Sequence, residues 1–277
     1  MNFMEINRSN ILEIVNKSNA RPDKDYGQNF LVEPVICQKI VDSLDVQENE
    51  KVLEIGPGLG SLTHFLAKTK GHVTAIDVDE RMTAFLKILY GECHNVDIVL
   101  NDIRKQDVST YDKIIGNLPY NITSEVITYL LLNASTAKKI VLMVQADAFP
   151  HFNDINGKEY GPISVLLHLL GNCKKDFQVK GGSFYPVPKC HSVVFEINYS
   201  PVCELKEAAN VYYFAKNLFL NRRKTISNNL MNLVKNKDMV MMILNECSIK
   251  ENARPEDISP KEYLKLFRTY QIKLSKK

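Results

Sequence analysis

The sequence predicts an α/β protein: a parallel sheet covered by helices on both faces, followed by a small all-α C-terminal domain. Three observations carry this expectation. Short apolar runs alternate with helical spacing from residue 51 to 145. The first of those runs ends in Gly56-x-Gly58-x-Gly60, a turn that leads into a helix. Beyond residue 207 the apolar pattern is helical only. Parallel neighbours need a crossover, so strand–helix alternation implies right-handed connections and a sheet buried on both sides.

Taken in order, residues 9–20 and 33–45 show helical spacing, with the turn-rich "DYGQNFL" between them. "KVLEIG" (51–56) reads as a buried strand, and a helix runs through "LTHFLAK". "HVTAID" (72–77) is a second strand, followed by a helix from about 79 to 91. "VDIVLND" (96–102) and "YDKIIGN" (111–117) are the third and fourth strands. A helix at about 123–132 then precedes a fifth strand, "KKIVLMVQ" (138–145). A further helix is expected over 161–171. Two late strands, 175–180 and 191–199, flank a Gly/Pro-rich segment and would most simply pair antiparallel. "SPVCELK" (200–206) marks a shift in composition, which places the boundary between domains 1–203 and 204–277.

The 277 residues are 45% apolar and 24% charged, an ordinary soluble composition able to bury a sizeable core. Apolar runs are too short for a membrane span, and "MNFMEINRSN" lacks the pattern of a secretory signal. The six cysteines are scattered without a C-x-x-C pair, as expected of reduced thiols in a cytoplasmic protein. The net charge of +3 hides an asymmetry: residues 205–277 carry 15 Lys and Arg against 7 Asp and Glu. The rest of the chain is acidic on balance. A basic tail behind an acidic body points to a polyanionic partner or, more blandly, to well-solvated helices.

The glycine turn after the first strand lets backbone approach a ligand at a helix N-terminus. A dinucleotide fingerprint would need glycine where Ser61 stands. Glu54 before Gly56, with Gly58 and Gly60 following, better fits an S-adenosylmethionine site. Asp77 ends the second strand, where a carboxylate can accept both ribose hydroxyls of a nucleoside. Asp102 follows the third, where it could meet an adenine amino group. A single aspartate at a strand end is more often a helix cap. Three strand ends in register favour a nucleoside cofactor, with a nicotinamide oxidoreductase as the rival.

"DKIIGNLPYNI" (112–122) ends the fourth strand beside that cofactor. An exocyclic adenine amine is a poor nucleophile because its lone pair is delocalised. The Asn117 side-chain oxygen and the Leu118 carbonyl can hold its two N–H groups and aim the lone pair at a sulfonium methyl. Pro119 stiffens the turn, and Tyr120 offers a ring on which a flipped base can stack. The chemistry is an in-line methyl transfer dominated by positioning, with no metal required.

These blocks, with "YGQNFLVEP" (26–34), "FYPVPKCHSVVFEI" (184–197) and "FLNRRKTISNNL" (219–230), resemble the KsgA-type small-subunit ribosomal RNA adenine dimethyltransferases. The resemblance runs in family order over nearly the whole chain. It implies a Rossmann-like class I S-adenosylmethionine-dependent methyltransferase that dimethylates N6 of adenosines near the 3′ end of 16S rRNA in the 30S subunit. It implies that Asn29 and Leu31 close over the cofactor with Gly56, Asp77, Asp102 and Asn117. Phe184 would stack on the target adenine, and Lys189, Arg222, Arg223 and Lys224 would bind RNA phosphates. The large-subunit (23S) dimethyltransferases of the antibiotic-resistance type are similar across the catalytic body. An RNA-binding assembly factor with weak or vestigial activity is the reading from another class. The sequence departs from the family's usual pattern at Asp77, where Glu is commoner, at "KGGS" before Phe184 and at "QADAF" (145–149).

Cys190 and His191, as neighbours in a strand, would point to opposite faces and could not act as a pair. The remaining histidines show no metal-ligand spacing. Nothing in the sequence demands more than a monomer.

Overall fold

The structure, a computed structural model, describes residues 5–17, 20–23, 26–119 and 121–275. The chain divides into two compact units. One holds the residues to Asp147 together with Lys174–Tyr199, and the other holds Ala148–Cys173 with Ser200–Lys277.

The first unit opens with α1 (Ile11–Lys17), a two-residue strand β1 (Phe30–Leu31) and α2 (Pro34–Leu44). Pro34 suits the first helical turn, where its missing N–H costs nothing. Then come β2 (Lys51–Ile55), α3 (Thr63–Leu66), β3 (His72–Asp77), α4 (Glu80–Tyr90) and β4 (Val96–Leu100). They are followed by β5 (Lys113–Asn117), α5 (Thr123–Asn133) and β6 (Lys139–Gln145). Strands β2 to β6 pair parallel in the order β4-β3-β2-β5-β6. The chain winds outward from β2 to β4, then returns to place β5 on the other side of β2. Ligands of open α/β sheets bind at such a reversal, beyond the carboxyl ends of the strands.

The late strands are β7 (Gly171–Val179), β8 (Phe184–Tyr185) and β9 (Ser192–Tyr199). β9 lies between β6 and β7 and runs antiparallel to β6, so the sheet is mixed rather than wholly parallel. The short β8 pairs antiparallel with β1, Phe30 against Tyr185 and Leu31 against Phe184. Neither short strand was foreseen, because two residues carry no readable periodicity. Cys190 and His191 precede β9 instead of lying within it.

The helical unit contains α6 (Pro150–Asn153), α7 (Pro162–Leu170), α8 (Leu205–Phe219), α9 (Ile226–Val234), α10 (Lys237–Cys247) and α11 (Pro260–Leu274). Residues 148–173 therefore belong with the C-terminal helices, whereas the sequence places them in the body. The reason is α7: "PISVLLHLL" is buried on nearly every side and packs against α8 and α11. Local signals start the later helices. Thr225 caps α9, Asn236 caps α10, and Ser259 with Glu262 forms a reciprocal capping box on α11. Among the described residues no helix is long and apolar enough to cross a membrane.

Candidate active site

A cavity of about 370 Å³ opens at the carboxyl ends of β2, β3 and β5. Its wall includes Asn29, Leu31, Gly56, Gly58, Asp77, Asp102, Asn117, Leu118 and Pro119. The volume falls in the usual range for small-ligand sites. Nine predicted positions from five separate stretches of chain thus meet at one place.

Two glycines explain how β2 and β5 close on it. Gly56 and Gly58 both adopt positive φ, +65° and +55°, which side chains rarely tolerate. A Cβ at Gly58 would also stand 3.1 Å from the Phe30 ring. The Gly58 N–H donates to Asp77 at 3.2 Å, and the other Asp77 oxygen accepts from the Asp79 N–H at 2.9 Å. Asp77 thus ties the glycine turn to the start of α4 while its edge faces the cavity. Burial pushes its carboxyl above the ordinary range, against these backbone donors.

Glu54 lies beneath the turn, 1% exposed. Burial raises its carboxyl to about 8; the Thr63 hydroxyl opposes the rise, and the nearby Asp77 charge adds to it. Thr63 donates to one oxygen at 2.7 Å, whereas Oε1 has no hydrogen-bond partner among the described residues. A buried acceptor left open beside a cavity is a place for a ligand's donor.

Asp102 is both a cap and a cavity residue. It accepts from the Arg104 N–H at 2.9 Å, and the Arg104 guanidinium grips its carboxylate at 2.7 to 3.2 Å. Arg104, which also reaches Glu125 at 2.5 Å, holds the Asp102 carboxyl below the usual range. Sequence reading missed Arg104; its spacing of two from Asp102 on a helical turn was the available signal. It also missed Gln28, which donates to Asp79 at 2.9 Å, and Ser61, whose hydroxyl donates to the Leu31 carbonyl at 2.7 Å. The Ser61 that spoils a dinucleotide fingerprint therefore anchors β1.

At the end of β5, the Asn117 side-chain nitrogen donates to the Asn29 carbonyl at 3.2 Å. That leaves the amide oxygen as the acceptor on its other side. The Leu118 N–H donates to Met143 at 3.0 Å, and the Pro119 carbonyl accepts from Thr123 at 2.9 Å. These bonds fix the turn from both ends. Tyr120 lies outside the described residues.

Phe184 differs from the expectation. Its ring is 2% exposed and does not line the cavity. It belongs to the core cluster with Leu31, Ile115 and Met143, on the same face as its cross-strand partner Leu31. It packs behind the cavity wall, beside Leu31, which lines it. The "KGGS" segment forms a single 3₁₀ turn over 181–183. Arg8 donates to the Gly182 carbonyl and pairs with Glu33, and the Gly181 N–H donates to His191 Nδ1 at 3.3 Å.

The basic candidates separate as well. Lys189, Arg223 and Lys224 are exposed. Arg222 is half-buried: it donates to the Gly157 carbonyl at 2.5 Å, pairs with Glu256 at 3.6 Å and lies over the Phe219 ring. Its partners lie within the helical unit, which sets Arg222 apart from its exposed neighbours Arg223 and Lys224.

The sequence matches the family described as ribosomal RNA adenine dimethylase over residues 13–272. Similar curated proteins include the ribosomal RNA small subunit methyltransferase A of Mycoplasma mycoides subsp. mycoides SC. It is 34% identical over 88% of this chain and 96% of that protein. The protein of the same name from Borreliella afzelii is 34% identical over 96% of each. A dimethyladenosine transferase from Plasmodium falciparum has a similar structure, with a TM-score of 0.74 at 24% identity, covering 88% of this chain and 98% of that one. The 23S rRNA methyltransferase ErmE gives 0.68 at 22% identity, covering 88% and 100%. These two structures share the fold, a Rossmann-like class I methyltransferase sheet with a helical C-terminal region.

Proposed function

The chain belongs to the ribosomal RNA adenine dimethylase family, and on that premise we propose that it dimethylates N6 of adenosines near the 3′ end of 16S rRNA in the small ribosomal subunit. The observation that carries the reading is the meeting of Gly56 and Asn117. A Cβ at Gly56 would lie 3.7 Å from the Asn117 carbonyl oxygen. The glycine turn thus runs against the backbone of Asn117, and both residues line the one cavity.

The cavity suits S-adenosylmethionine. Asp77 would accept from ribose hydroxyls, and Asp102, oriented by Arg104, would meet the adenine edge. The open Glu54 oxygen and the close glycine backbone fit the amino-acid end. When bound, the cofactor supplies a methyl group on a positively charged sulfur. The chain's own contribution is to place the acceptor amine. Asn117 Oδ1 and the Leu118 carbonyl would each accept one N–H of N6, leaving the lone pair directed into the cavity. The methylated nitrogen is acidic and releases its proton to water, so no strong base is needed. Holding the two reactants at contact distance provides most of the acceleration.

The similar curated proteins are small-subunit methyltransferases by name, which supports the small subunit over the large one as substrate. Exposed Lys189, Arg223 and Lys224 would contact phosphates, which orient RNA without reading sequence. The test is transfer of labelled methyl to undermethylated 30S subunits, with the product nucleoside identified. Dimethyladenosine in small-subunit RNA is expected. Absence of that nucleoside, with a folded and cofactor-binding protein, would sink the proposal.

A further inference from the structure

We propose that Pro186, Val187, Pro188 and Lys189 form a rigid wedge that enters the RNA beside the target adenosine, with Val187 as its apolar tip. The inference rests on the proposed rRNA reading and adds to it the element that opens the base stack. Phe30 pairs with Tyr185, so the chain leaves β8 at Pro186 at the same end where Asn29 enters β1. Asn29 is the residue whose carbonyl accepts from Asn117. The loop therefore begins beside Asn29, which lines the cavity. None of its four residues lines the cofactor cavity.

Val187 is 69% exposed. One exposed valine is unremarked on most surfaces, but this one is flanked by two prolines. Pro186 and Pro188 fix their own φ, Pro188 restricts the backbone of Val187, and the branched side chain has few rotamers. Little freedom remains to be lost on binding. The base of the loop is pinned too. His191 accepts from the Gly181 N–H through its ring, and its carbonyl accepts from Ala146 at 2.9 Å. A Cβ at Gly181 would stand 3.1 Å from the Pro188 carbonyl, so glycine lets the turn pack beneath the loop.

The chemistry requires such an element. An adenine inside a stack cannot present N6 to Asn117, and extruding it leaves a gap that apolar side chains fill in other nucleic-acid-bending proteins. Val187 offers such a surface, with exposed Lys189 two residues on for the flanking phosphate.

The test uses full-length protein and undermethylated 30S subunits, comparing wild type with Val187→Gly and Val187→Ile. Val187→Gly is expected to lose about tenfold in kcat/KM, with S-adenosylhomocysteine binding by calorimetry unchanged. Val187→Ile keeps the apolar tip and retains activity. In an Asn117→Ala background, chemical probing should show nucleotides beside the target becoming reactive on binding, and Val187→Gly should abolish that change. Full activity and full RNA opening in Val187→Gly would overturn the wedge alone. Loss of S-adenosylhomocysteine binding in that variant would also count against it, because the loop lies outside the cavity. A wild type that leaves the RNA unmethylated overturns the functional reading and the wedge with it.

Discussion

The side-chain nitrogen of Asn117 donates to the main-chain oxygen of Asn29, 88 residues earlier, at 3.2 Å. This bond does two jobs. It closes the segment before β1 over the cavity, and it decides which face of the amide is left to accept a substrate donor. Asn117→Ala removes both and is expected to cut methyl transfer about a hundredfold or more. RNA binding should persist, since the residue contributes no charge. Single-turnover methylation alongside a filter-binding measurement checks this; equal losses in both would contradict the assignment.

Gly58→Ala tests the glycine cradle. The new side chain would sit in a left-handed conformation against the Phe30 ring. About 1–2 kcal/mol of stability should be lost. The N–H that holds Asp77 would shift as well, so cofactor affinity should fall about tenfold. Thermal unfolding with and without S-adenosylhomocysteine separates the two effects: the ligand-induced rise in Tm should shrink as well as the baseline Tm.

Glu54 predicts a pH dependence. Its folded-state value, near 8, lies above the ordinary 4.5 because burial disfavours the charged form. Folding therefore favours the protonated carboxyl. The stability this contributes is whole below about pH 4.5 and is lost as pH rises toward 8. Glu54→Gln should flatten that decline. Relative to the variant, the ligand-free wild type should lose a few degrees of Tm between pH 5 and pH 8. Parallel Tm–pH curves would show that Glu54 does not titrate in this range.

Arg222 and its neighbours should behave differently. Arg222→Ala removes contacts to Gly157, Glu256 and Phe219 and is expected to lower Tm. The exposed pair Arg223→Ala/Lys224→Ala should leave Tm within about a degree. That pair should instead weaken RNA binding and reduce the dependence of log affinity on log salt by about one to two units. The reverse pattern would place Arg222 on the RNA.

The strand alternation, the glycine turn and the asparagine-proline turn were legible because each is a local pattern. Asp77 and Asp102 were placed correctly at strand ends, and both line the cavity. Asp102 also proved to be a cap, so one residue both starts a helical turn and lines the cavity. What the chain order concealed was partnership across long separations. Gln28 with Asp79 and Arg8 with Gly182 leave no trace in local spacing.

By itself, the sequence determined the class of fold, the cavity's main residues and the family, because apolar period and turn chemistry are properties of short segments. Tertiary structure alone decided three matters. It moved α6 and α7 into the helical unit, since a helix apolar on all sides must be buried by whatever surrounds it. It turned Phe184 inward, because pairing with Leu31 in β1 puts both side chains on one face. And it split Arg222 from Arg223 and Lys224, since neighbouring cations are separated by which of them finds a carboxylate and a carbonyl within reach.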